Sequence, residues 1–145
     1  MRLTTKQRYA TRIMVFLAGS VNAAPAQKKE IARAEEIPAD YVEQICVRLR
    51  AGGLIRSHRG KQGGFSLARR AEAITVADVL DAVDGKSGLA PCLGEHCKRE
   101  AVCVTKAVWR KADEALRSVF SGVTVAELAG QAKELAASRT ITFEI

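Results

Sequence analysis

Five of the chain's 11 glycines fall between positions 52 and 64, and they dictate the local path of the backbone. Gly52-Gly53 closes a helical pattern, because glycine takes the left-handed cap conformation without a Cβ clash. Leu54 to Arg59 then reads as a short strand. Gly60-Lys-Gln-Gly63-Gly64 reads as a tight turn and Phe65-Ser-Leu67 as the returning strand. A hairpin placed directly behind a helix is a wing in waiting, and the residues ahead of it decide whether it is one.

Those residues hold three helices. From about Thr5 to Gly19, Tyr9, Ile13, Phe16 and Leu17 recur at helical spacing. A loop with breaker residues follows to Pro25. A short helix from about Gln27 to Ala34 carries Ile31 inward and Lys28, Lys29 and Arg33 outward, with Glu35-Glu36-Ile37 as the turn. The third helix runs from about Pro38, a residue suited to a first helical turn, to Ala51. Tyr41, Val42, Ile45, Cys46 and Leu49 form its apolar side. Three helices and a hairpin joined by short connections predict a winged helix-turn-helix unit.

The polar side of that third helix presents Glu43, Gln44, Val47, Arg48 and Arg50. Gln and Arg fit adenine and guanine edges in the major groove. A solvated stripe is the plain alternative. The net charge of +7 and the pI near 9.5 favour a polyanionic partner, nucleic acid before an anionic membrane. Arg59 and Lys61 at the hairpin tip suit a phosphate or the minor groove, and Lys28 suits a phosphate. The expected partner is double-stranded DNA.

Beyond the hairpin, Thr75 is a helix N-cap with Asp78 in the first turn, and Val76, Val79, Leu80 and Val83 are apolar. A long helix from about Thr105 to Phe120 carries Val108, Ala112, Ala115, Leu116 and Val119 on one face. Thr124 to Glu127 is a capping box that opens a last helix through about Ala136. Arg139 to Ile145 has a β-rich composition, which suits either a strand added to a partner or a frayed tail.

Between these helices lie Cys92, Cys97 and Cys103, spaced C-x4-C-x5-C, with His96 beside the second. Three thiols this close read as ligands. Spacing alone leaves three chemistries open: an iron–sulfur cluster, zinc, and thiol switching, with the cluster ahead because it tolerates looser spacing. Cys46 shares the apolar face of the third helix and reads as a small core residue. No apolar run approaches the roughly 18 residues of a membrane span, and no secretory signal is evident, so a cytoplasmic protein is expected. No nucleophile–base pair or cofactor fingerprint marks an enzyme, and no small-molecule substrate is expected.

The segments MRLTTKQRYA at 1–10, YVEQI at 41–45, RLR at 48–50, GLI at 53–55, Arg59-Gly60, Gly63-Gly64 and CVTKAVW at 103–109 resemble the Rrf-two family of bacterial winged-helix regulators. The resemblance extends to about Gly130. It implies a homodimer, each subunit offering its third helix to a major groove and its wing to a minor groove. The long helix after the cysteines would pair with its copy. It implies that Cys92, Cys97 and Cys103 hold an iron–sulfur cluster, [2Fe-2S] or [4Fe-4S], whose state alters the fit to DNA. Two departures concern the fourth ligand. The family's iron–sulfur-assembly regulators have a histidine where this chain has Lys106, and its nitric-oxide sensors use a carboxylate where this chain has Arg8. The first cysteine interval is also shorter. His96 is the candidate replacement, with Glu95, Glu100, a partner residue or an exogenous ligand as alternatives.

The expected architecture is mainly α. Residues 1–84 form a winged helix-turn-helix DNA-binding domain with a two-stranded wing, 85–104 the cysteine loop, 105–137 the dimerisation helices and 138–145 a tail. The expected function is a homodimeric, cluster-modulated transcription regulator acting as a repressor, and the alternative is a cluster-free regulator with a zinc site or thiol switch.

Overall fold

The computed structural model describes residues 3–20, 24–60, 63–86, 88–93 and 97–141, with residues 139–141 described by backbone alone. Lys61, Glu95, His96 and residues 142–145 lie outside the described residues. Six helices and one antiparallel hairpin follow in the order α1 (Thr5–Gly19), α2 (Lys28–Glu35), α3 (Ala39–Ala51), β1 (Ile55–His58), β2 (Gly64–Leu67), α4 (Val76–Asp84), α5 (Lys106–Ser121) and α6 (Val125–Ile141). Among the described residues no helix is long and apolar enough to cross a membrane.

Local chemistry sets the helix starts. The Thr4 hydroxyl accepts from the Gln7 N–H at 3.1 Å, and the Gln7 side chain accepts from the Thr4 N–H at 2.8 Å. Thr75 with Asp78 and Thr124 with Glu127 repeat this reciprocal box. Glu36 ends α2 in the left-handed region at φ 53°. Gly53, at φ 70°, turns the chain from α3 into β1.

The core is shared by α1, α2, α3, α4 and the hairpin base: Ile13, Met14, Ile31, Val42, Ile45, Leu49, Leu54, Ile74, Val79 and Val83 are all fully buried. The buried side of α1 is Ala10, Ile13, Met14 and Leu17, while Tyr9 and Phe16 pack at its margin. Cys46 is also fully buried. The hairpin pairs Ile55 with Leu67 and His58 with Gly64. Ala26 and Phe65 exchange hydrogen bonds of 2.9 and 2.8 Å, which ties the wing to the entry of α2. Only glycine fits at 64, because a Cβ there would lie 2.3 Å from the Ala26 carbonyl oxygen.

The last helix departs from expectation. It continues to Ile141 rather than ending near Ala136. Gly130 is the only breaker within it and Ala136-Ala137 favour helix, so helix continues through Thr140 and Ile141 despite their β propensity. Its first turns pack on α1 with Val125 and Ala129 buried, and hydrogen bonds from Val76 to Val123 and from Val125 to Ile74 join it to the start of α4.

Candidate nucleic-acid interface and cysteine loop

The apolar period of α3 buries Val42, Ile45, Cys46 and Leu49, and the opposite side turns Asp40, Glu43, Gln44, Val47 and Arg50 to solvent. Val47 is 52% exposed, a large apolar side chain in the middle of a polar face. Gln44 stands beside it. The remaining candidates form a frame around these two. Lys28 reaches across from α2 to Glu43 at 2.6 Å and to Asp40 at 4.0 Å. The hydrogen bond to Glu43 is the main reason that the Lys28 ammonium titrates above its ordinary value. Arg50 leans toward the wing and donates to the Ser57 hydroxyl at 3.4 Å. Arg48 leans the other way and donates to the Val83 carbonyl, at the end of α4, at 3.3 Å. Arg48 is therefore engaged within the chain as well as lying beside the exposed face. That partner is 35 residues away, and no local pattern announces it.

Arg59 is exposed at the wing. His58 is tied back into the hairpin, its Nε2 2.8 Å from the Ser66 hydroxyl. Between wing and α2 runs an open groove of about 390 Å³ lined by Lys28, Lys29, Ser57, His58 and glycines 60, 63 and 64. Cations beside a glycine-rich backbone suit a phosphate chain.

The cysteine loop leaves α4 at Gly85 and is built from short 3-10 turns at Pro91–Leu93 and Glu100–Val102. Cys92 lies in the first turn, and the Cys97 carbonyl accepts from the Glu100 N–H at 3.0 Å, opening the second. All three thiols are free and half-buried. Cys103 sits at the start of α5 with its sulfur 3.4 Å from the Thr105 hydroxyl. That hydroxyl, then the amides of Lys106 and Thr105, hold its thiol below the ordinary value, as expected beside the positive end of a helix. Burial instead pushes Cys46 up to about 12. Among the described residues, no group of three His, Cys, Asp or Glu side chains gathers around one point.

Two contacts fasten the loop. The Leu89 N–H donates to the Asp113 carboxylate at 2.7 Å. Lys106, only 8% exposed, pairs with Glu100 at 2.6 Å. Sequence reasoning singled out Lys106 as a misfit ligand but did not foresee its burial or its partner. Beyond the loop, α5 buries no residue other than Lys106. Val108 and Val119 are 58% and 62% exposed.

Three packed helices, an exposed polar third helix and a hairpin wing define the winged helix-turn-helix class of DNA-binding proteins. The chain belongs to the Rrf2 family, described as iron-dependent transcriptional regulators, whose pattern matches residues 3–131. It is a transcription regulator and not an enzyme. It is 37% identical over 129 residues to the HTH-type transcriptional regulator IscR of Erwinia tasmaniensis, covering 88% of this chain and 78% of that one. It is 36% identical to a putative HTH-type transcriptional regulator of Azotobacter vinelandii, covering 88% and 79%. Among solved structures, CymR, the global cysteine regulator of B. subtilis, superposes with a TM-score of 0.77 at 29% identity, covering 90% and 98% of the two chains. IscR of T. potens superposes with a TM-score of 0.76 at 30% identity, covering 93% and 90%.

Proposed function

We propose that this regulator is a homodimeric repressor whose grip on its operator is set by an iron–sulfur cluster in the loop of Cys92, Cys97 and Cys103. The observation that carries the reading is the state of the thiols: free, half-buried, and in Cys103 biased toward the thiolate that ligates metals. By their chemistry such donors suit a cluster, binding of which would have to draw the three sulfurs together, and His96 is the proposed fourth ligand. Lys106 is a poor ligand, because an ammonium has no lone pair and this one is committed to Glu100. A bound cluster would supply covalent cross-links between the turns of the loop. Gln44, Val47, Arg48 and Arg50 would read bases, with Glu43 accepting from cytosine or excluding wrong bases. Lys28, Arg59 and Lys61 would hold phosphates.

The dimer reading has its own support in α5. Val108, Ala112, Ala115 and Val119 stand four, three and four residues apart, so the stripe reads the same in both directions. Two antiparallel copies would set Val108 of one against Val119 of the other, with the alanines allowing close approach at the centre. That is the self-complementarity an isologous interface requires. It would hold two α3 helices about 34 Å apart, one DNA turn.

Anaerobic reconstitution followed by absorbance, iron, sulfide and zinc analysis, and DNA binding tests the reading. Cys92→Ala, Cys97→Ala and Cys103→Ala should each lower iron content and change operator affinity. Unchanged metal content and affinity in all three would sink it. The depressed thiol of Cys103 also favours a second reading, a cluster-free thiol switch. Protein that never takes up iron, yet changes DNA affinity on oxidation, would establish that alternative.

A further inference from the structure

Four consecutive residues in the last turn of α4 serve three neighbouring helices. Asp81 accepts both ends of the Arg117 guanidinium from α5, at 3.2 and 3.2 Å. Ala82 lies so close to the C-terminal end of α3 that a Cβ added to Gly52 would stand 2.6 Å from its own Cβ. The Val83 carbonyl accepts from Arg48 of the DNA-reading helix. Asp84 pairs with Lys6 and accepts from the Thr4 hydroxyl at the start of α1. The next residue, Gly85, at φ 77°, starts the cysteine loop. One turn of helix thus touches α1, α3 and α5 and launches the loop.

The loop is tied back to the same place. Asp113, one turn before Arg117 on α5, receives the Leu89 N–H at 2.7 Å, three residues ahead of Cys92. Asp113 and Arg117 therefore join the loop's first limb to α4 through α5. The joint is not close-packed. A cleft of about 210 Å³, open to solvent, lies there, with Asp81, Asp113 and Arg117 at its wall beside Leu80, Leu116 and Phe120. Directional polar links beside a solvent-open cleft can move between arrangements in a way that a close-packed core cannot.

We propose that the last turn of α4 is the junction through which the cysteine loop sets the pose of the DNA-reading helix, with Asp113 and Arg117 as its positioning residues. A change in the loop pulls on Leu89, shifts Asp113 and Arg117 together because they share α5, and moves Asp81. The Val83 carbonyl, two residues on, moves with it and carries Arg48. The proposal rests on the reading of the loop as the sensing element, but its mechanical part is testable without any cluster.

The test uses the full-length protein, with Arg117→Ala, Asp113→Ala and the charge-swapped pair D81R/R117D. Hydrogen exchange is the first measurement. Both single variants should speed exchange of the amides of residues 46–54 by about fivefold while α2 keeps its wild-type protection, and the swapped pair should restore most of the loss. Faster exchange confined to α5 and residues 85–93 would overturn the proposal, as would uniform loosening of every helix. The second measurement is affinity for a duplex selected by the wild-type protein from fragmented genomic DNA, with the protein iron- and sulfide-loaded and then stripped. If the wild type shows a ratio of about tenfold between the states, Arg117→Ala should bring it within about twofold of unity at unchanged iron content. A ratio that survives in the variant overturns the junction. A wild-type ratio of one sinks the cluster reading instead, and the exchange measurement then decides the junction alone.

Discussion

The molecule has two regions of opposite character. From Thr5 to Asp84 the chain buries a continuous apolar core in which Ile13, Met14, Ile31, Ile45 and Leu49 lose essentially all contact with water. From Gly85 to Ser121, Lys106 is the sole buried residue among those described, and it is a cation held by one carboxylate. Apolar burial is the main favourable term in folding. The first region thus carries its own stability, while the second has no apolar core of its own among the described residues and is fastened by polar links such as Leu89 to Asp113 and Arg117 to Asp81. The two regions are held by different forces, close-packed apolar burial in the first and directional polar contacts in the second.

The sharpest way to break this contrast is to damage both regions equally. Leu49→Ala should lower unfolding free energy by about 2–5 kcal/mol in urea titration, whereas Val108→Ala should leave the unfolding of the isolated subunit unchanged. Equal losses would erase the distinction. Ala115→Glu places a charge at the centre of the proposed α5 crossing. It should raise the dimer dissociation constant by about a hundredfold, roughly 2.7 kcal/mol, as read by sedimentation, with helicity preserved. A dimer that survives Ala115→Glu lies elsewhere.

The reading face comes next in size. Gln44→Ala should weaken operator binding by about tenfold, within the 1–3 kcal/mol of a good base contact, while leaving thermal unfolding alone. The thiols then compare the regions chemically. With iodoacetamide at neutral pH, Cys103 should be alkylated first and Cys46 only after unfolding, as mass spectrometry of peptides would show. Cys46 also gives the core a pH signature. An unfolded chain ionises this thiol near 9.0, but burial holds it neutral up to about 12 in the folded state. Between those values the unfolded state binds fewer protons, so this group's stabilising effect is complete below pH 9 and is lost as pH rises toward 12. Cys46→Ala should remove that part of the slope. The smallest effect expected is that of Lys28→Met, which should reduce the salt dependence of DNA binding by about one counterion and change nothing in the fold.

Much of the first region was legible because its signals are local. The apolar period of α3 and its closing glycines act over three or four residues, and the Thr75–Asp78 cap does the same. The boundaries expected for α1, α3 and α5, and the start expected for α4, agree with those observed to within a residue. The short loops left one compact way to arrange three helices and a wing. Local signals failed where a side chain's partner is remote. Arg48 looked like a base reader by composition, yet its guanidinium also holds the Val83 carbonyl. Lys28 and Glu43 were separate candidates and form one ion pair.

The sequence by itself determined the class of this protein: the helix order, the hairpin, the exposed polar face of α3 and the three thiols on one loop, all encoded in spacing and in glycine's conformational freedom. Only the tertiary structure decided how those parts are joined. It turned α6 back onto α1, buried Lys106 against Glu100, and brought Asp81, Val83 and Asp84 into contact with three different helices. The last three contacts link residues 35 to 80 positions apart, and their geometry is set by how whole helices pack rather than by any pattern within one of them.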